Sequence, residues 1–111
     1  MNTYEAMFLI DVKLDEKAIN ATFDQIKEAI TKNDGNIISS RIWAEKRRLD
    51  FPIKKNQEAT YYLVNFNLEP NLIDKIRQLY RLNENILRVL ITRSNGDMTQ
   101  PSKREGYFHK T

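Results

Sequence analysis

The chain has no cysteine, one histidine, and only three glycines and three prolines among 111 residues. Without cysteine there are no disulfides and no thiolate metal sites, a composition compatible with a reducing cytosol. The sole histidine, His109, stands two residues from the end, where such a residue is more often surface than base or ligand. No Gly-rich phosphate loop, Ser/His/Asp set or carboxylate–histidine metal spacing occurs. No apolar run approaches the roughly 20 residues that span a bilayer. The opening Met-Asn-Thr-Tyr-Glu is not a basic region followed by an apolar core, so no secretory signal is expected. A phosphate-cradling, arginine-containing loop after the first strand is also missing, because Asp11-Val12-Lys13-Leu14 occupies that place. Helix capping and the helix dipole account for Asp11, Asp15 and Glu16. These absences argue against an enzyme, a metal site and a membrane span.

What is present is positive charge, unevenly placed. Residues 41–55 hold six basic side chains (Arg41, Lys46, Arg47, Arg48, Lys54, Lys55) against Glu45 and Asp50, a local excess larger than the +3 of the whole protein. Residues 1–40 sum to −3 and residues 77–93 to +3. Cations concentrated among Trp43, Phe51 and Ile53 have the composition of a nucleic-acid contact, since fixed cations release counterions from phosphates. A solvated charged hairpin would share that composition.

The hydrophobic pattern supports six elements. Residues 4–10 read as a buried strand. A helix follows, with Asp15 as its cap, Leu14 and Ile19 at the spacing of a hydrophobic staple, and Ile19, Phe23, Ile26 and Ile30 on one face. Asn33-Asp34-Gly35 stops it, Gly35 being free to take the left-handed conformation. Residues 36–43 and 58–68 read as strands joined by the basic segment. The second puts Tyr62, Val64, Phe66 and Leu68 on one face and Tyr61, Leu63, Asn65 and Asn67 on the other. Pro52 marks an edge, a bulge or a turn. Glu69-Pro70 opens a second helix with Leu72, Ile73, Ile76, Leu79 and Tyr80 as its stripe. Residues 86–93 form a last strand, with Ile86, Arg88 and Leu90 on one side and Leu87, Val89 and Ile91 toward the helices.

Strand, helix, strand, strand, helix, strand, with right-handed crossovers, describes an α+β, ferredoxin-like βαββαβ fold: a four-stranded antiparallel sheet with two helices on one face. Residues 1–93 form the single domain and 94–111 a flexible C-terminal tail. The helix-free sheet face is left available to RNA or protein.

In that frame the residues Tyr4-Glu5, Trp43, Lys46-Arg47-Arg48-Leu49, Phe51-Pro52-Ile53, Tyr61 and Arg81-Leu82-Asn83-Glu84-Asn85-Ile86-Leu87-Arg88 occur in an order and at separations that resemble a family, ribosomal protein six of the bacterial small subunit. The resemblance covers about residues 3–93. The chain departs from the family pattern at Ala44, commonly Gly, and Asp50, usually a small residue, and its Trp-to-Pro spacing is one residue longer. The resemblance implies a cytoplasmic, non-enzymatic constituent of the small ribosomal subunit, with no cofactor and no small-molecule substrate. It would bind the central domain of small-subunit rRNA beside the eighteenth small-subunit protein and support platform assembly. Carried onto matching positions, the RNA-facing candidates are Lys46, Arg47, Arg48, Arg81 and Arg88.

Arg47 and Arg48 suit phosphate contacts that position without reading sequence. Trp43 or Phe51 can stack on a base or anchor the hairpin, and the area that aromatics bury favours the anchor. Arg88 on the helix-free face fits RNA, a partner, or a cross-strand ion pair. Tyr61 and Leu63, as exposed apolar groups on that face, would suit a protein partner. Tyr107 and Phe108 in the tail would order on RNA or a protein partner, or stay passive. A ferredoxin-like protein-interaction or small-molecule-sensing module is the alternative. A single-strand RNA reader would need more aromatics on the central strands than Tyr4 or Phe8 and Tyr61.

Overall fold

The period-two pattern of the third strand sets the layers. In a computed structural model, which describes residues 1–94, the chain runs β1 (Asn2–Asp11), α1 (Glu16–Thr31), β2 (Asn36–Ile53), β3 (Asn56–Leu68), a 3-10 turn (Pro70–Leu72), α2 (Ile73–Arg81) and β4 (Ile86–Ser94). The sheet order is β2-β3-β1-β4, with all three pairings antiparallel. This is the expected ferredoxin-like arrangement. Tyr62, Val64, Phe66 and Leu68 join Tyr4, Ala6, Phe8 and Ile10 under the helices, while Tyr61 and Leu63 join Met7 and Leu9 on the other side. The expected tail, with Tyr107, Phe108 and His109, lies outside the described residues. None of the described helices is long and apolar enough to cross a membrane.

Local signals act as read. Asp15 caps α1 by accepting from the Ala18 amide at 2.7 Å, which satisfies one of the helix's orphan donors. Ile26 and Ile30 are fully buried, and Phe23 stacks on Tyr62 with ring centroids 4.1 Å apart. Pro70 leads the 3-10 turn into α2, whose Ile76 and Tyr80 are buried. Leu79, assigned to the same stripe, is instead exposed, on the flank of a groove between the helices.

The helix stop differs from the expectation. Asp34, not Gly35, takes the left-handed conformation, with φ 64°; a short polar side chain tolerates that region. Gly35 is needed for space. A Cβ there would lie 2.7 Å from Ile30 Cγ2, 2.8 Å from the Asn67 carbonyl oxygen and 2.9 Å from that of Ile30.

The basic segment is not a loop. β2 continues through it to Ile53, and β3 starts at Asn56, leaving a two-residue turn at Lys54-Lys55. Eighteen residues of β2 run against residues 56–67 of β3, and register shifts at four places absorb the excess. Each bulge bends the strand and adds right-handed twist. Pro52 fits here because β2 is an edge strand.

A smaller bulge corrects the face assignment in β4. Leu9 pairs with Arg88 but Ile10 pairs with Ile86, so Leu87 is the extra residue. Ile86 therefore enters the core under the helices and Leu87 the opposite cluster, the reverse of simple alternation. Arg88, Leu90, Val89 and Ile91 keep their expected sides.

Two predictions follow from the helix layer. Gly35→Ala is expected to lower the urea-unfolding free energy by about 2–3 kcal/mol, because two backbone oxygens must move to admit the methyl. The Tyr80 hydroxyl donates to the Ile26 carbonyl at 2.7 Å and its ring meets Phe8 edge-on at 4.7 Å. Burial, with a smaller contribution from Tyr62, holds its pKa well above the ordinary tyrosine range. Below pH of about 10 the hydroxyl is protonated in folded and unfolded chains alike; above it the unfolded chain loses its proton first, so stability falls. Tyr80→Phe should cost about 1 kcal/mol at neutral pH for the lost hydrogen bond. It should also flatten the alkaline decline in a denaturation series.

Candidate nucleic-acid interface

The five candidate cations are all exposed, but they do not form one patch. Residues directly opposite across antiparallel strands share a face. Arg47 lies opposite Ala59 and Arg88 opposite Leu9, both on the helix-free side; Arg48 lies opposite Glu58, the next residue round, on the other side of the β2–β3 ribbon. The adjacent arginines thus point to different faces. Arg81 ends α2, in the helix layer, where a cation also complements the helix dipole. Lys46 occupies the bulge between the Ala44–Tyr61 and Arg47–Ala59 pairs, with φ 49°.

The helix-free face is built in two levels. Beneath lie Met7, Leu9, Leu63 and Tyr61, all buried, with Leu87 from β4 and Leu49 from the ribbon. Trp43, Ala44 and Ile53 pack against them. Tyr61 and Leu63 lie on the face that alternation predicts, but not exposed as expected. They are 4% and 1% exposed, because the bulged β2 carries Trp43 and Leu49 into contact with them.

Above this layer sits Arg47. Its guanidinium carbon is 4.9 Å from the Trp43 ring centroid and 5.9 Å from that of Tyr61, and the two rings are 5.7 Å apart. Trp43 is therefore a packing anchor, as the area argument favoured. Phe51 is not an anchor, being 72% exposed. An exposed cation–π contact contributes about 0.5–1 kcal/mol, whereas a hydrogen bond to a charged group contributes about 1.5–3 kcal/mol. The aromatic pair therefore orients Arg47 without consuming its capacity to bind an anion.

Arg88 stands on the same face, and Leu9 lies between it and Tyr61 in the register. Two strand spacings put the Cα atoms of Arg88 and Tyr61 about 10 Å apart. Arg41, exposed and opposite Leu63, belongs to the same face. It was counted in the basic segment but not among the candidates; its two-residue step from Ser39, which faces Asn65, is the alternation signal that finds it. The helix-free face so carries Arg41, Arg47 and Arg88, set over an apolar base.

The α2–β4 junction is held from both sides. The Asn85 side chain donates to Thr22 Oγ1 at 3.1 Å, that of Asn83 to Gln25 Oε1 at 2.9 Å, and the Asp11 amide donates to the Asn85 carbonyl at 3.1 Å. These bonds fix where β4 begins, and with it where Arg88 emerges. Tyr4 and Phe8 lie under the helices, Tyr4 stacked on Phe66 and Phe8 edge-on to Tyr80. They are therefore not base-stacking groups of the helix-free face.

Comparison with known proteins completes the picture. A family profile described as Ribosomal protein S6 matches residues 3–93. Small ribosomal subunit protein bS6 of Clostridium acetobutylicum is 35% identical over 91 residues, covering 82% of this chain and 95% of the relative. That of Micrococcus luteus is 37% identical over 93 residues, covering 84% and 91%. The Helicobacter acinonychis protein is 36% identical over 91 residues, 82% of this chain, which spans only 63% of that longer relative. Among solved structures, 30S ribosomal protein S6 from Thermotoga maritima superposes with a TM-score of 0.78 over 99% of this chain and 98% of that one, at 20% identity. The C-terminal domain of the MgtC protein from Mycobacterium tuberculosis shares the fold, with a TM-score of 0.60 at 11% identity over 90% of this chain and 95% of that one. With nearly the whole described domain matched in one continuous stretch, the chain belongs to the ribosomal protein S6 family, structural and non-enzymatic components of the small ribosomal subunit in the bacterial cytoplasm.

Proposed function

We propose that the chain binds the central domain of small-subunit rRNA together with the eighteenth small-subunit protein, and so supports assembly of the platform. The observation that carries this reading is the grouping of Arg41, Arg47 and Arg88 on the sheet face that none of the described helices covers. In the proposed mechanism nothing turns over. Arg47, held on Trp43 and Tyr61, presents its planar fork to phosphate oxygens, and Arg88 and Arg41 engage neighbouring phosphates of the same strand. Such contacts position the protein and leave sequence to other features.

Lys46 and Arg48, on the bulge and the far side of the ribbon, act as outlying cations, and Arg81 extends the positive field toward the helix layer. Tyr61 and Leu63 contribute to partner binding from below, by supporting the surface formed by Trp43 and Arg47. Tyr107 and Phe108 are proposed to complete the partner contact. Residues 1–93 act as the binding domain and 94–111 as an accessory segment.

The test is binding to a central-domain rRNA fragment across a salt series, with and without the partner protein. Arg88→Ala and Arg47→Ala are each expected to lower affinity and to make the dependence of log K on log salt shallower by roughly 0.7–0.9, the value of one released phosphate contact. Arg48→Ala, on the other ribbon face, should change the slope less. Equal slopes for all three variants, or equal affinity for an unrelated RNA, would remove this reading.

A further inference from the structure

The tip of the β2–β3 ribbon carries three features that the phosphate-binding face does not use. β1 pairs with β3 only as far as Asp11 and Ala59, so residues 56–58 and the β2 residues against them project beyond the sheet, by about 10 Å at the rise of a strand. On this projection Phe51 is 72% exposed, the most exposed large apolar side chain among the described residues. The turn itself, Lys54-Lys55, holds both residues at positive φ, 49° and 69°. Two successive positive φ values in a two-residue hairpin are the geometry that favours Asn-Gly. Lysine bears a Cβ that this region disfavours, so the turn keeps charge at the expense of backbone ease. Strain of this kind gathers at functional sites.

We infer that this tip is a stacking site for an unpaired RNA base, with Phe51 as the platform and Lys54 and Lys55 on the flanking phosphates. The inference rests on the RNA-binding reading above and adds a second, separate contact to it. A polyanion is the fitting occupant, since an apolar protein surface laid on Phe51 would strip water from Lys54 and Lys55 without pairing them. Paired RNA does not fit a stacking platform, because the base faces inside an A-form helix are already stacked on one another and its deep, narrow major groove excludes side chains. Unpaired bases remain, and aromatic stacking on them is tolerant of sequence.

The experiment uses the full chain and a short hairpin RNA whose single-nucleotide bulge carries 2-aminopurine, beside the same hairpin fully paired. Wild type should prefer the bulged RNA and quench its fluorescence. Phe51→Leu, which keeps the apolar volume, should weaken bulge binding about tenfold and abolish the quenching. The double variant Lys54→Asn/Lys55→Gly should raise the urea midpoint by relaxing the turn, yet weaken binding and lower the salt slope by about 1.4 for two single-strand contacts. A gain in stability joined to a loss of binding separates function from damage to the fold. Wild-type bulge preference in both variants, while Arg47→Ala and Arg88→Ala still weaken the rRNA fragment, would overturn the stacking site alone. Failure of the wild-type chain to bind any of these RNAs would overturn the stacking site together with the reading on which it rests.

Discussion

Everything on the helix-free side of this protein depends on one constraint, the unequal length of β2 and β3. Two strands of a regular ribbon match residue for residue, but here β2 has six residues more than the partner segment 56–67. The excess is taken up in bulges, and bulges bend and twist the strand that carries them. Bending brings Leu49, Trp43 and Ile53 onto the apolar patch formed by Met7, Leu9, Tyr61 and Leu63. A sheet face that would otherwise expose those side chains thereby gains a second apolar layer. The same bulges interrupt an edge strand, a common protection against unwanted strand pairing.

The charged surface is built on that layer. Arg47 lies where it does because Trp43 and Tyr61 are brought together beneath it, and the intervening bulge at Lys46 returns the chain to the same face. Arg88 lies on this side in the regular register of β4, just after the bulge at Leu87, while the junction before it is tied to α1 through Thr22 and Gln25. Helix layer and helix-free face are therefore coupled: packing on one side sets the position of the cations on the other.

How much was legible in the sequence follows the regularity of each element. β3 is unbroken from 58 to 68, so alternation assigned both its faces. Asp15, the Ile19–Ile30 stripe and Pro70 report on local backbone needs, and these were read correctly. The ribbon was read as a connection because bulges erase period two and because Lys-Lys carries none of the chemistry that marks a tight turn. Ile86 and Leu87 exchanged sides for the same reason, a single inserted residue that leaves no trace in composition. The role of Gly35 was hidden differently: a glycine after a helix signals either conformation or space, and only the approach of Asn67 from β3 shows that space decides it. The burial of Tyr61 and Leu63 depends on contacts from residues more than ten positions away in the chain, which no local pattern contains. Family resemblance rested on short pieces in order, and it identified the assembly more securely than it identified which cations share a face.

The central claim is that the helix-free face, not the helix layer, meets the RNA. Its most direct test is an NMR chemical-shift map of the labelled chain bound to the central-domain rRNA fragment beside its partner protein and, separately, to the partner alone, so that RNA effects can be distinguished. The account predicts RNA-dependent changes at Arg41, Arg47, Arg88 and the ribbon, with α1 and α2 little altered. Changes concentrated instead on exposed helix residues such as Lys17, Lys75 and Leu79, with Arg47 and Arg88 unmoved, would contradict it.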